Sequence, residues 1–215
     1  MQSTKTFQLE PQVGEGIYTK RDVADILRLP YSKVSRGFDE FWGDYTFGIK
    51  GNKAINFYTL IEFYTFYHLR ELKISSQKIK EAHGIIASDL NTKYPFARKI
   101  YAQEKGAIWY EELGALIKAD KKQQLYLREL LLPFLNKIEF NSDDLAFRYF
   151  PTAAKKVVID PRFQFGQPTI TGTGIKANII NGFYIGGESK ETICKLYNLS
   201  IEQINDAILY YQKSA

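Results

Sequence analysis

The alternation of apolar and polar residues predicts two short helices near the start of the chain. The first has an apolar stripe that begins after Thr19 and Asp22, whose three-residue spacing is that of a capping box. Leu29-Pro30 ends this helix near Arg28 and begins a second one, because proline suits the first turn of a helix. The apolar residues at helical spacing are Val23, Ala24, Ile26 and Leu27 in the first helix and Val34, Phe38, Phe41 and Trp42 in the second. This is the pattern of a helix-turn-helix pair.

A β-hairpin is predicted to follow the second helix. Apolar residues alternate with polar ones on both sides of the tip Lys50-Gly51-Asn52-Lys53, with the turn placed at Gly51-Asn52. The alternating apolar residues are Phe47, Ile49, Ile55 and Phe57. Helical spacing returns over residues 57–72, which have an aromatic-rich face, and over residues 76–90. Residues 1–92 are therefore predicted to form a winged helix-turn-helix domain.

Residues 93–156 have the pattern of a mixed α/β connecting segment. Residues 108–110 are predicted to form a short strand and residues 121–135 an interrupted helix. A second hairpin is predicted over residues 138–149, with its turn at residues 141–144.

The last segment, residues 157–215, begins with a stretch rich in turn-forming residues. Two prolines and three glycines stand between Asp160 and Gly174. Proline fixes the backbone and glycine permits turns that other residues resist, so we expect a shaped, extended entry to the helices that follow.

Three short helices are predicted after this entry. Gly186-Gly187 ends the first, Ser189 caps the second, and Ser200 with Gln203 forms a capping box for the third. The residues expected to face inward are Ile193, Leu196 and Tyr197 in the second helix and Ile201, Ile204, Ile208 and Tyr211 in the third. The chain is thus predicted to be mainly α with small β elements (α+β), and to end in a three-helix helix-turn-helix module.

Composition and charge limit the classes of function. The 215 residues are 45% hydrophobic, and 29 basic residues exceed 24 acidic ones, a mild excess that permits nucleic-acid binding without requiring it. We find no apolar run of the roughly 20 residues that a membrane span needs, and no signal peptide, so a cytoplasmic protein without membrane contact is expected. The single Cys194 excludes an internal disulfide.

Donors for phosphates and base edges gather on the second helix and at the hairpin tip. A recognition helix enters the major groove with such donors near its N-terminus, and a basic hairpin tip contacts the neighbouring backbone. The candidate DNA-binding residues are Thr19, Tyr31, Ser32, Lys33, Ser35, Arg36, Lys50, Asn52 and Lys53. They predict that residues 17–57 bind double-stranded DNA.

Motifs for catalysis or cofactor binding are weak. Residues 172–177 match a dinucleotide fingerprint formally, but no second parallel strand is predicted after them. The adjacent carboxylates Asp143-Asp144 and Glu111-Glu112 lie in turn-like surroundings, and neither His68 nor His83 has a partner at metal-ligand spacing. We therefore expect no enzyme activity, no cofactor and no metal site.

Several short motifs carry a family resemblance. They are Asp160-Pro161, Gly166-Gln167-Pro168, Gly172-Thr173, Ile175, Ser189-Lys190-Glu191 and Leu199-Ser200 through Tyr210. This pattern, over about residues 157–211, resembles the antitoxin-type domain of unknown function 433. The family usually has Gly-Thr-Arg-Ile-Pro where this chain has Gly-Thr-Gly-Ile-Lys at residues 172–176.

The N-terminal pattern also carries a resemblance. The helix pair, the basic-tipped hairpin and the long helix after it resemble a winged helix of the MerR type, although Ser35-Arg36 stands where that family commonly has Arg-Tyr. The two halves together resemble VapB-like antitoxins, which are paired with PIN-type ribonuclease toxins. The resemblance implies a repressor that autoregulates its operon and neutralises a PIN-type toxin by occlusion.

The distribution of charge indicates which half of the chain binds DNA and which half binds a partner. Glu202 and Asp206 would repel phosphates from the last helix, so the N-terminal helices are expected to contact the DNA. The hypothesis is a homodimer that binds a palindromic operator through two such N-terminal domains. The partner or dimer surface is predicted at Ile201, Ile204, Ile208, Tyr210 and Tyr211. Two other hypotheses stay open: a protein-binding adaptor without DNA binding, and a MerR-like regulator whose aromatic helix surrounds a small apolar ligand.

Overall fold

The structure is a computed structural model that describes residues 14–49, 51–99 and 136–212. The strand predicted at residues 108–110, the helix predicted at residues 121–135 and the tip residue Lys50 lie outside these ranges. The predicted fold class is confirmed, since helices predominate and the strands form small antiparallel sheets. Within the described ranges, no helix combines the length and the apolar character that crossing a membrane would require.

The chain begins with a short strand and two helices. Strand β1 (Tyr18–Thr19) leads into helix α1 (Lys20–Leu27), and helix α2 (Tyr31–Arg36) follows. The predicted capping box is confirmed: the Thr19 hydroxyl accepts from the backbone N–H of Asp22, and the Asp22 carboxylate accepts from that of Thr19. Arg28 adopts a left-handed conformation with φ 57° and ends α1 where the sequence placed its end.

The second helix is shorter than predicted. It passes into a π-helical turn at Gly37–Phe41 and a 3-10 turn at Gly43–Tyr45, although Val34, Phe38 and Trp42 are all fully buried as expected. At Gly37 a Cβ would lie 2.7 Å from the ring of Phe63, so the chain passes too close to the next long helix for any larger residue. The π-helical turn at Gly37–Phe41 is wider than an α-helical one, and with it Phe38 and Trp42 both lie in the core.

The predicted hairpin and the two following helices are present. Strands β2 (Phe47–Ile49) and β3 (Asn52–Ile55) pair with each other, and β1 joins the other edge of β3 to complete a three-stranded sheet. Helices α3 (Phe57–Glu71) and α4 (Ser76–Asp89) pack on this unit, and the aromatic residues of α3 supply much of its core.

The second hairpin belongs to the same core. Strands β4 (Ile138–Phe140) and β5 (Ala146–Tyr149) pair around a turn in which the Asn141 side chain accepts two backbone N–H groups. Ile138, Ala146 and Tyr149 are buried with the N-terminal residues. The described part of the predicted connecting segment thus completes the N-terminal core.

The C-terminal domain has a separate core. Strands β6 (Val157–Val158) and β7 (Thr169–Ile170) form a two-stranded sheet. Helices α5 (Ala177–Ile185), α6 (Lys190–Tyr197) and α7 (Ile201–Gln212) pack against it. The caps predicted at Ser189 and at Ser200 with Gln203 are confirmed by their hydrogen bonds.

Candidate functional site

The exposed face of α2 contains four of the candidate DNA-binding residues. Tyr31, Ser32, Lys33 and Arg36 are exposed there, while Val34 is fully buried on the opposite face. The turn at residues 28–30 and the burial of Val34 together fix which side of the short helix faces solvent. Arg36 follows Ser32 and Lys33 by four and three positions, so two cations and one hydroxyl group share an exposed helix face, with Tyr31 exposed beside it.

Two other candidates on this unit are held by internal contacts. Thr19 caps α1, with its hydroxyl 2.6 Å from the Asp22 carboxylate. The Ser35 hydroxyl accepts from Lys20 Nζ at 3.1 Å, and the same ammonium group lies 3.4 Å from the Asp39 carboxylate. The sequence analysis did not identify Lys20 as the partner of Ser35 and Asp39. Its position as the first residue of α1 was the available signal.

The hairpin places Asn52 and Lys53 differently from the prediction. Ile49 pairs with Asn52, so Asn52 is the first residue of β3 and not part of the turn. Lys53 pairs with Gly48 and is half-buried, while Asn52 is exposed. The tip is therefore one residue earlier than predicted, and its Lys50 lies outside the described residues.

The charge contrast between the two helical units is smaller than the sequence suggested. Asp206 is buried, and its Oδ2 accepts from the Thr152 hydroxyl at 2.6 Å and from the backbone N–H groups of Lys156 and Val157 at 2.9 and 3.1 Å. It therefore does not face approaching phosphates, and that part of the argument against α7 was wrong. Conversely, Asp39 and Glu40 are exposed directly after α2.

A cleft of about 670 Å³ opens beside α2. Its walls come from α2, from the end of α3 and from the start of α4. The lining residues are Leu29, Lys33, Arg36, Gly37, Glu40, Phe41, Phe66, Tyr67, Arg70, Glu71, Ser76, Gln77 and Lys80. Lys33 and Arg36 thus face a concave surface as well as solvent.

A tyrosine hydrogen bond holds the cleft together. The hydroxyl of Tyr67 donates to the backbone carbonyl of Lys33 at 2.7 Å. Burial raises the pKa of Tyr67, although Arg36 opposes this, so the hydroxyl keeps its proton at neutral pH. This bond fixes the distance between α2 and α3 in the middle of the cleft wall.

The predicted partner surface requires a correction. Ile204, Ile208 and Tyr210 are buried in the core of the C-terminal domain, so in this structure they are not available to a partner. Ile201 is partly exposed and Tyr211 is half-buried against the same core. The reason is geometric: the apolar stripe of α7 is the stripe that packs against α5 and α6.

Other apolar residues of the C-terminal domain are exposed instead. Ile185 is 75% exposed at the end of α5, and Leu196 is 62% exposed on α6, where the sequence predicted that it would face inward. Further exposed apolar residues on α5 are Ile179, Phe183 and Tyr184. The available signal was the run of adjacent apolar residues at 183–185, because neighbours in a helix cannot all face one side.

Comparison with known proteins connects the C-terminal domain to a family. Residues 157–211 match the family model described as protein of unknown function (DUF433). This range includes the whole two-stranded sheet, α5 and α6, and nearly all of α7. The family resemblance of the C-terminal motifs is thereby confirmed.

Two curated relatives come from Mycobacterium tuberculosis (strain ATCC 25618 / H37Rv). The candidate antitoxin VapB45 is 25% identical over 131 residues, which are 59% of this chain and 54% of that protein. The uncharacterized protein Rv2308 is 39% identical over 61 residues, or 28% of this chain and 26% of that protein. The chain thus spans about half of the first relative and about a quarter of the second.

A solved structure shares the fold. The crystal structure of Rv2018 from Mycobacterium tuberculosis superposes with a TM-score of 0.73 at 18% identity. The match covers 94% of this chain and 100% of the other.

Proposed function

We propose that this protein is a DNA-binding antitoxin that represses its own operon and neutralises a PIN-type ribonuclease toxin by covering the toxin's active site. The observation that carries the proposal is the similarity of 131 residues to the candidate antitoxin VapB45. The DUF433 match at residues 157–211 supports it. Neutralisation by occlusion needs no catalytic residues, so the proposed protein is not an enzyme.

The N-terminal domain is the proposed DNA reader. The order of two helices and a hairpin supports a winged helix-turn-helix of the MerR type, in which α2 would be the recognition helix. The exposed Lys33 and Arg36 would contact phosphates or base edges, while Lys53 would lie beside the groove. A homodimer would present two such helices to the half-sites of a palindromic operator.

Salt-dependent DNA binding tests this part of the proposal. The full chain is titrated into a labelled DNA fragment from upstream of its own gene, and the dissociation constant is measured by fluorescence anisotropy between about 50 and 200 mM salt. The double variant Lys33→Ala/Arg36→Ala should bind more weakly and reduce the slope of log K against log salt by about 2 per protomer. The matched control Lys176→Ala/Lys195→Ala removes two cations from the C-terminal domain and should leave the slope unchanged.

Two results would count against this reading. An unchanged salt slope in the double variant would remove the assignment of the DNA contacts to α2. The absence of any preference for the upstream fragment over unrelated DNA would favour the alternative of a protein-binding adaptor, which the exposed Asp39 and Glu40 also favour.

The C-terminal domain is the proposed toxin-binding part. The exposed apolar residues of α5 and α6 form a surface of the kind that marks protein interaction sites. The test uses a PIN-like protein encoded beside the gene and measures inhibition of its ribonuclease activity. Ile185→Asp and Leu196→Asp should weaken inhibition at least about tenfold, because each puts a charge into an apolar interface. The control Ile49→Asp changes an equally exposed isoleucine of the N-terminal hairpin and should inhibit like the wild type.

A further inference from the structure

We propose that the cleft beside α2 binds a small aromatic carboxylate, and that the bound carboxylate weakens DNA binding. The first half of the proposal concerns the cleft alone. The second half rests on the proposed function, since it assumes that Lys33 and Arg36 contact DNA.

The floor of the cleft is apolar and aromatic. The rings of Phe41 and Phe66 lie with their centroids 4.1 Å apart, and Leu29 lines the cleft beside them. A volume of about 670 Å³ lies within the range of small-molecule sites, which combine an apolar lining with a few polar groups. Such a floor is suited to the flat apolar body of an aromatic ligand.

The rim of the cleft has an excess of positive charge. Four cations line it, Lys33, Arg36, Arg70 and Lys80, against the two carboxylates of Glu40 and Glu71. Among the residues that the structure describes, none of these four cations has a carboxylate oxygen within 4.0 Å. Arg70 also donates to the backbone carbonyl of Ile74 at 2.5 Å. As far as the described residues go, the rim offers cations to an anion without first breaking an ion pair, which favours a negatively charged ligand.

Lys80 connects the cationic rim of the cleft with its aromatic floor. Its Nζ lies 4.4 Å from the centroid of the Phe41 ring. A carboxylate that pairs with Lys80 would therefore hold its attached aromatic ring close to Phe41 and Phe66, within reach of the apolar floor. This juxtaposition of a cation with an aromatic floor defines the ligand class as an aromatic ring bearing a carboxylate.

The position of the cleft links ligand binding to DNA binding. Lys33 and Arg36 lie in its wall, and Tyr67 ties the Lys33 carbonyl to α3. A carboxylate held by these cations would neutralise charges that the proposed reader offers to phosphates. An occupied cleft should therefore lower the affinity for DNA.

The experiment compares two probes that differ in charge. Binding of 2-naphthoate and of the neutral 2-naphthamide to the full chain is measured by isothermal titration calorimetry, without DNA. The carboxylate should bind at least about tenfold more tightly than the amide, because only the carboxylate forms charge-assisted bonds. Lys80→Gln should remove most of this difference, while the matched control Lys78→Gln, on the same helix but outside the cleft lining, should retain it.

Each outcome decides one half of the proposal. Equal binding of the two probes, or equal binding to the wild type and to Lys80→Gln, would overturn the carboxylate site. If the wild type prefers 2-naphthoate and the Lys80→Gln variant does not, the site stands, whatever the DNA experiment gives. Release of DNA by 2-naphthoate but not by 2-naphthamide supports the regulatory half, and an unchanged DNA affinity at saturating 2-naphthoate overturns it.

Discussion

Replacement of Glu62 tests a buried carboxylate at the centre of the N-terminal core. Glu62 is fully buried on α3, and its Oε1 accepts the backbone N–H groups of Phe96 and Ala97 at 2.8 and 3.2 Å. Its Oε2 lies 3.0 Å from Nε2 of His83 on α4. One side chain thus connects two helices with the turn at residues 95–97.

The expected magnitude follows from the groups that a substitution leaves without partners. Glu62→Ala removes the acceptor of two buried N–H groups and of His83, and each unsatisfied buried donor costs about 1–3 kcal/mol. The free energy of unfolding should fall by about 3–5 kcal/mol. Glu62→Gln retains a carbonyl oxygen for both N–H groups and places an amide group within hydrogen-bond distance of the His83 ring, so its cost should be about 1 kcal/mol.

The pH dependence has a defined sign. Burial raises the pKa of Glu62, and the hydrogen bonds from His83 and the backbone only partly oppose this. The native carboxyl group therefore retains its proton to a higher pH than the unfolded one does. The stability of the wild type relative to Glu62→Gln should be greatest below the ordinary pKa of 4.5 and decline as pH rises from there through the raised native pKa.

The assay is urea unfolding followed by tryptophan fluorescence. The chain has two tryptophans, so a Trp109→Phe background leaves Trp42 as the reporter. Trp42 is fully buried, and its ring centroid lies 5.5 Å from that of His83, so its emission reports on this part of the core. A loss of less than about 1 kcal/mol in Glu62→Ala, or equal losses in the alanine and glutamine variants, would refute the reasoning.

Two further predictions concern the entry to the C-terminal domain. Gly166→Ala should lower the free energy of unfolding by at least about 2 kcal/mol more than Gly172→Ala. The two glycines have similar φ angles, 83° and 80°, but of the two only Gly166 would place a Cβ in overlap with the Tyr18 side chain. Equal losses of stability in urea unfolding would mean that Gly166 does not contact Tyr18 closely. Burial alone would raise the pKa of Asp160, but hydrogen bonds from Arg162 and Arg148 lower it below its ordinary value. Asp160→Asn should therefore lower the free energy of unfolding by about 2 kcal/mol at pH 7. The difference in stability between the wild type and Asp160→Asn should disappear as the pH falls from the ordinary pKa of 3.8 through the lowered native pKa. A difference that stays constant with pH in urea unfolding would contradict the stabilising role of the Asp160 carboxylate.

The sequence was most informative where the chemistry is local. The capping boxes at Thr19 and Ser200 and the cap at Ser189 each depend on residues within three positions of one another. The end of α1 before Pro30 depends on a backbone restriction of a similar range. These helix boundaries could therefore be predicted from the sequence without knowledge of the packing, whereas the end of α2 could not, because it depends on the close approach of Phe63 to Gly37.

The sequence was less informative where a side chain has more than one possible environment. Leu196 and Ile204 both stand in helical apolar patterns, yet one is exposed and the other is buried. Asp206 was interpreted as a surface charge, whereas its partners are 49 to 54 positions away in the sequence. The cleft beside α2 likewise exists only because α3 and α4 place Phe66 and Lys80 opposite Arg36.

The contacts between the two cores bear on how the proposed functions could be coupled. At the start of α1, the Gln167 side chain donates to the Asp22 carboxylate at 3.3 Å, and the N–H of Ile17 donates to the carbonyl of Phe165 at 3.1 Å. At the other end of α1, the Arg28 guanidinium lies 4.3 Å from the centroid of the Tyr210 ring and donates to the Tyr210 carbonyl.

Both ends of α1 are therefore bonded to the C-terminal domain, and the second of these contacts lies in the turn that orients α2. A partner that shifts α7 would act on Arg28 directly, and through it on the angle between the two N-terminal helices. Toxin binding and DNA binding, if both occur as proposed, would then be linked through the ends of a single helix.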